Sequence, residues 1–355
     1  MTFTEGRAQF PVLERFAYLQ AGSTGPLARQ TVAAMRTEDE RSLADGRSGQ
    51  DYFDRVLGLR VDLREELAGL VGVTPEQVAL TASTTDGCNL VLAGLELGPE
   101  DEIVTTTDEH FGLLGPLHTS GARVIVTSPD PESIIGAVTA RTRLVAVSHV
   151  LWTTGQMLPV HELRERAQVP ILVDGAQSVG AIPVDARGLD FMTISGQKWL
   201  CGPESTGALA VADPEQLRVA RPSYFSQETH GPDGAFEPWP GARRFDPGWL
   251  PTSSLSGLLT AVRTRPEWCY ERSQEMADRC REMLLAAGED VVSPAKRATI
   301  VSWRPSAGPP TEVVTRLGSK RVLVREIPKT GLVRASVGWW TNDEDLERLV
   351  HALKE

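Results

Sequence analysis

Residues 171–209 read ILVDGAQSVGAIPVDARGLDFMTISGQKWLCGPESTGAL. Two short apolar runs, Ile171–Val173 and Phe191–Ile194, have the length and composition of buried strands. Each gives way to polar residues that would stand at the carboxyl edge of a parallel sheet. The first run delivers Asp174 and Gln177, the second Ser195, Gln197 and Lys198. Ligands of open α/β sheets collect at that edge. A carboxylate and a lysine carried there by separate strands suit a cofactor that needs one of each.

Pyridoxal phosphate has those needs. Its aldehyde condenses with a lysine amine, and its ring nitrogen takes an acid partner. A carboxylate at that nitrogen makes a charge-assisted hydrogen bond. A lysine forms a Schiff base readily once desolvation or a neighbouring cation favours its neutral amine. On this reading Lys198 is the Schiff-base residue, Asp174 the partner of the ring nitrogen, and Gln177 a donor to the ring hydroxyl. Either residue alone reads as a strand end or a surface lysine; the pair, with Ser195–Gly196 ahead of the lysine, reads as a site.

DGAQS at 174–178, followed by SGQKW-x-x-GP-x-x-x-G at 195–207, resembles the class V aminotransferase family. The likeness extends over nearly the whole chain. It implies a fold type I pyridoxal-phosphate enzyme: an α/β protein with a large domain built on a mostly parallel, doubly wound sheet and a smaller α+β carboxyl-terminal domain. Residues 15–250 are expected in the large domain, and 1–14 with 251–355 in the small one. Alternating strands and helices from Val78 to Val211 agree with a parallel sheet.

Ser83, Thr84 and Thr85 sit where the Val78–Leu80 strand turns into a helix expected over Asn89–Leu95. Such a turn is either a plain cap or a phosphate site on free helix N–H groups; the resemblance assigns the phosphate to Thr84 and Thr85, beside Ser195 and Gln197. It makes His110, in the Glu-His dipeptide, the residue stacked on the cofactor ring, and places Ala21–Thr24 at the mouth of the site. Arg334 in VRAS matches the substrate-carboxylate arginine, with Arg325 as a second candidate; a guanidinium fork fits a carboxylate. The chain departs from the family at three places. Gln197 stands for a histidine, Trp152 for an asparagine near the ring hydroxyl, and Trp249 for a threonine that reaches the partner's phosphate. Arg243 or Arg244 is the expected replacement for that last contact. A homodimer is implied.

Within the family, cysteine desulfurases use a nucleophilic cysteine ahead of the carboxylate arginine. None lies between Ala287 and Arg334, which disfavours that reaction. DEIVTTTDEH, SHVLWTTGQMLPV and VLVREIPKTGLVRASVGWW resemble the cystine C–S lyase branch most. The implied reaction is β-elimination on cysteine or cystine, with Lys198 taking the Cα proton. An aminotransferase or epimerase on an amino acid is the alternative. The aromatic residues Trp152, Phe225, Trp239, Trp249, Trp339 and Trp340 suggest a wide rim around the pocket.

Composition bounds the rest. The chain has 355 residues, is 41% hydrophobic and carries a net charge of −11, which speaks against nucleic acid or an anionic membrane as partner. No apolar run approaches the roughly 18 residues of a membrane span. The start, MTFTEGRAQFPVLERF, lacks signal-peptide regions, so a cytoplasmic address is expected. Four cysteines, Cys88, Cys201, Cys269 and Cys280, have neither metal-site nor disulfide-scaffold spacing. No G-x-G-x-x-G follows an early strand, which weighs against a dinucleotide-binding reading.

Overall fold

The computed structural model describes residues 1–354. Seven strands build the large sheet: β1 Val78–Thr81, β2 Glu102–Thr106, β3 Arg123–Thr127, β4 Thr142–Ser148, β5 Ile171–Asp174, β6 Phe191–Ser195 and β7 Gly207–Val211. Their order is β1-β7-β6-β5-β4-β2-β3. All neighbours are parallel except β7, which runs against both β6 and β1. The central strands are apolar on both faces, as a sheet covered by helices on each side requires. Alternate residues serve opposite cores. Val104, Val145, Val147 and Val173 join the layer with Leu63 and Leu67 of the helix Gly49–Val71, whereas Ile103, Leu144, Ala146 and Leu172 face Val91, Leu113 and Leu117.

The small domain holds an antiparallel sheet of β8 Asp290–Val291, β9 Ile300–Arg304, β10 Arg325–Ile327 and β11 Leu332–Ser336, in the order β8-β9-β11-β10. The helices Cys269–Ala286, Pro310–Ser319 and Asp343–Lys354 cover it through Met276, Leu284, Val313, Leu317, Leu346 and Leu349. The last helix is capped by Asn342, whose Oδ1 accepts from Asp345 N at 3.0 Å.

Two packing relations depart from the division expected at residues 15 and 251. The helix Thr252–Arg263 sends Leu255, Leu258 and Val262 into the large core, so it sides with the large domain. Ala17 and Leu19 are buried in the small core, where Ala17 and Tyr18 pair in parallel with Val322 and Leu323. An amphipathic helix and a two-residue strand carry no signal for which body they join. The long segment after Arg221 contains a short hairpin, Gln227–His230 with Phe236–Pro238, and a helical turn at Gly241–Phe245. No helix among the described residues is long and apolar enough to cross a membrane.

Candidate active site

Strand register brings the sequence-predicted residues to one edge. Ser148 ends β4 opposite Asp174 at the end of β5, Asp174 faces Thr193 on β6, and Ser195 ends β6 opposite Gly207, which in turn faces Thr81 at the end of β1. The carboxylate, the lysine loop and the Ser83–Thr85 turn therefore share one rim of the sheet.

Each polar group on this rim is partly committed and keeps a free valence outward. Asp174 Oδ1 accepts from Ala176 N at 2.9 Å and Thr193 Oγ1 at 3.2 Å, which leaves Oδ2 as the open acceptor. Gln177 accepts from Trp199 Nε1 at 3.0 Å and donates through Nε2 to Gly22 O at 2.9 Å; one amide hydrogen remains. Ser195 Oγ donates to Gln197 Oε1 at 2.9 Å, turning the donor end of that amide away. The helix Thr84–Gly94 begins five residues earlier than its expected start at Asn89, with Ser83 Oγ as its cap on Asp86 N at 3.1 Å. Thr84 and Thr85 thus lie in the first turn, where N–H groups lack intrahelical acceptors and the dipole favours an anion.

Lys198 is desolvated, which pulls its amine down to about 8; Asp174 opposes this shift, while Arg334 and Arg325 add to it. About a tenth of the amine is thereby neutral at pH 7, and about half at pH 8. His110 is pushed down to about 4, first by burial and then by Lys198, Arg325 and Arg334. It is a neutral ring. Its Nδ1 caps the helix Phe111–Thr119 by accepting from Gly112 N at 3.0 Å, so Nε2 carries the proton. A Cβ at Gly112 would stand 2.7 Å from Thr85 Oγ1 and 3.0 Å from His110 Nδ1, a measure of how closely these two groups converge.

The amino-terminal turn closes the site from above. Gly25 N donates to Gln197 O at 2.8 Å, and a Cβ at Gly25 would lie 2.1 Å from Lys198 O. At Gly22 a Cβ would meet Ser336 Oγ, Gln177 Oε1 and Arg334 Nη2, each within 3.0 Å. Ser23 Oγ, in the segment expected at the mouth, accepts from Arg325 Nη1 at 3.0 Å and Arg334 Nη2 at 3.3 Å.

Arg325 and Arg334 face each other across β10 and β11. Arg334 is 1% exposed and donates from Nη1 to Trp152 O at 2.9 Å, while its Nε has no partner. Burial, then Arg325, pushes it down to about 9. Neither guanidinium is paired with a carboxylate among the described residues.

Sequence reasoning missed Glu109. It is buried beside His110, accepts from Thr106 Oγ1 at 2.8 Å, from Ser148 N at 3.0 Å and from Ser148 Oγ, and burial pushes it up to about 7. It pins the loop carrying His110 to the end of β4. Its partners lie on two different strands, so no local signal in the sequence marks it. The aromatic rim needs correction. Trp339 packs on Phe10 and Trp268 away from the site, Trp239 lies under Arg243 at 3.7 Å, and Phe225 and Trp249 cluster with Tyr52 and Tyr224. Trp340 joins the Phe10 cluster too. Trp152 alone of the six touches His110 and Arg334. Arg244 is held by Glu215 at 2.6 Å and Trp239 O, which leaves Arg243 as the less committed of the two.

The four cysteines are buried, and burial holds the thiols of Cys201 and Cys280 up at about 12 and that of Cys88 well above its usual range. The residues fit pyridoxal phosphate: an open carboxylate oxygen, a desolvated lysine, a neutral aromatic face and a helix amino terminus converge.

Comparison with known proteins agrees. Residues 17–349 match the family model described as aminotransferase class V. Isopenicillin N epimerase of Streptomyces clavuligerus is 29% identical, over 94% of this chain and 93% of its own. The cystine C–S lyase C-DES, solved with its reaction product cysteine persulfide, superposes with a TM-score of 0.90 at 26% identity, over 98% of this chain and 99% of its own. A probable cysteine desulfurase of Methanothermobacter thermautotrophicus is 33% identical over 57% of this chain and 54% of its own. The chain belongs to the class V aminotransferase family and is a pyridoxal-phosphate-dependent enzyme of fold type I.

Proposed function

We propose that the protein is a C–S lyase that cleaves the Cβ–sulfur bond of a cysteine-type amino acid, with cystine as the substrate its site suits best. The observation that carries this reading is the pair Arg325 and Arg334, two guanidinium groups without carboxylates beside Lys198. Two such forks suit a substrate with two carboxylates. The similarity to C-DES over the full chain supports the same reading.

Bound pyridoxal phosphate supplies the electron sink that accepts the charge left when Cα loses its proton. Asp174 Oδ2 is the acceptor for the protonated ring nitrogen, and Gln177 keeps a hydrogen for the ring hydroxyl. Thr84, Thr85 and Gln197 would supply phosphate donors, with Ser195 orienting the Gln197 amide, and neutral His110 would offer its face to the ring. Arg334 holds the α-carboxylate and Arg325 the distal one, with Ser23 setting their spacing. Lys198, neutral near pH 8, removes the Cα proton as general base. The Cβ–S bond then breaks with its electron pair going to sulfur. From cystine the products are cysteine persulfide, pyruvate and ammonia, with water consumed. The absence of an exposed cysteine among the described residues disfavours a persulfide-carrying desulfurase.

The epimerase relative, similar over nearly the whole chain, favours a second reading in which the same Cα proton is removed and returned. Holoenzyme mixed with L-cystine, without any keto acid, separates the two. Sustained pyruvate and sulfane sulfur support the lyase. Exchange of the Cα proton with deuterated water without pyruvate would replace it by the epimerase, and conversion of the cofactor to its amine form by an aminotransferase. We infer a homodimer as the working form, supported by the half-exposed Trp249 (51%) stacked beside Tyr224 (62%) on the surface. Light scattering of an active species at monomer mass would overturn that.

A further inference from the structure

Trp152 stands on the seam between the domains. Its ring meets His110 edge-on, with centroids 4.8 Å apart and planes at 90°, and packs against Ile327 and Leu332 of the small domain. The Arg334 guanidinium lies 6.0 Å from the ring centroid and donates to the Trp152 carbonyl. The side chain is 9% exposed, and its indole N–H has no acceptor among the described residues. The unpaired Nε of Arg334 is a second buried donor in the same neighbourhood.

A buried donor without an acceptor is unfavourable, and phenylalanine would fill most of the same space without that penalty. A tryptophan is explained where the acceptor arrives with a ligand. Its ring meets the histidine on one side and, on the other, Ile327 and Leu332 at the turn of the hairpin that carries Arg325 and Arg334. The field at this place is set by two uncompensated guanidinium groups, so the acceptor it favours is anionic.

We propose that Trp152 is a specificity-determining residue: its indole N–H donates to an oxygen of the substrate's side-chain carboxylate, completing a three-donor pocket with Arg325 and Arg334. The enzyme therefore selects amino acids that carry a second carboxylate. This rests on Arg334 being the α-carboxylate clamp, and the test examines that separately.

The test compares L-2-aminoadipate with L-norleucine, ligands of similar length without a β leaving group, by spectral titration of the holoenzyme and by thermal shift. Wild type should bind 2-aminoadipate the more tightly. Trp152→Phe keeps the ring contacts and removes the N–H. It should weaken 2-aminoadipate by roughly tenfold, about 1.4 kcal/mol, and leave norleucine within about twofold, a contrast expected of a lost hydrogen bond to a charged group. Equal weakening of both ligands, or a changed cofactor spectrum before ligand is added, would mean that Trp152 acts only through packing on His110. No weakening of either, or equal wild-type affinities, would overturn the proposal as well. Arg334→Gln should weaken both ligands; if it spares norleucine, the clamp assignment fails and not the role of Trp152 alone.

Discussion

Two pairs of inward-facing arginines lie in this molecule, and they are finished differently. Arg60 and Arg64 share Asp246, at 3.1 and 2.6 Å from its Oδ2, while Asp246 Oδ1 accepts from Leu80 N at 2.9 Å. Arg64 Nε reaches Val78 O, Arg60 Nη2 reaches Gly248 O, and only Arg60 Nε is left over, with the guanidinium 3.9 Å from the centre of the Phe225 ring. That cluster ties the irregular 221–249 segment to the large sheet. Arg334 is as deeply placed, with the half-buried Arg325 beside it, but these two share a neutral hydroxyl, Ser23. Burying a charge without a counter-charge is costly. The first pair finds its counter-charge within the chain; the second finds none among the described residues. A buried cation that folding has not neutralised marks where a ligand supplies the charge.

Perturbing each region should give opposite signatures. The largest effect is expected at the shared chemistry: Lys198→Ala should lower turnover by about 10^4 or more, with no lysine-linked cofactor found by mass spectrometry after borohydride. Next, Asp246→Asn leaves two cations unneutralised and should lower stability by about 3–5 kcal/mol, read as a lower melting temperature in the apoprotein. Arg334→Gln should instead weaken amino-acid binding by about 2–5 kcal/mol without lowering the melting temperature. If Asp246→Asn melts like wild type, or Arg334→Gln unfolds, the contrast between structural and ligand-directed pairs is lost.

A smaller effect concerns pH. Only neutral Lys198 captures an aldehyde, so cofactor uptake by the apoprotein should rise through about pH 8. Arg325→Gln removes a cation that favours the neutral amine, so the midpoint should move up; Asp174→Asn removes an anion that favours the ammonium, so it should move down. The apoprotein should also lose stability as pH falls from about 6.5 toward 4, because the unfolded chain protonates His110 and His149 first. The smallest effect is none: native protein should resist iodoacetamide, since all four thiols are buried.

Much of this was legible in the residues. Ile171–Val173 and Phe191–Ile194 read as strands because parallel strands under helices are continuously apolar, and the polar residues after them fell on one shared edge of the sheet. Arg334 was legible in VRAS, with Arg325 as a second candidate; that they stand opposite each other across a hairpin is seen only in the fold. The helix at Thr84 was placed late because Thr-Thr-Asp-Gly are poor helix formers, although the Ser83 cap overrides them. The aromatic residues misled for another reason: whether a tryptophan lines a pocket or fills a core depends on contacts hundreds of residues away. Glu109 is not legible in the sequence because its pairing with Ser148 on another strand leaves no local trace.

The turn at Ala17–Gly25 is made first, yet its partners come last: Val322 and Leu323 beside Ala17 and Tyr18, Ser336 beside Gln20, Arg325 and Arg334 on Ser23. During synthesis the lysine loop leaves the ribosome well over a hundred residues before the strands that brace this turn. The large domain can acquire its sheet and its reactive lysine while the roof over that lysine is held only by Gln177 on Gly22 and Gln197 on Gly25. The small domain's strands then add the second set of fastenings, so the cover over the amine is assembled in two stages.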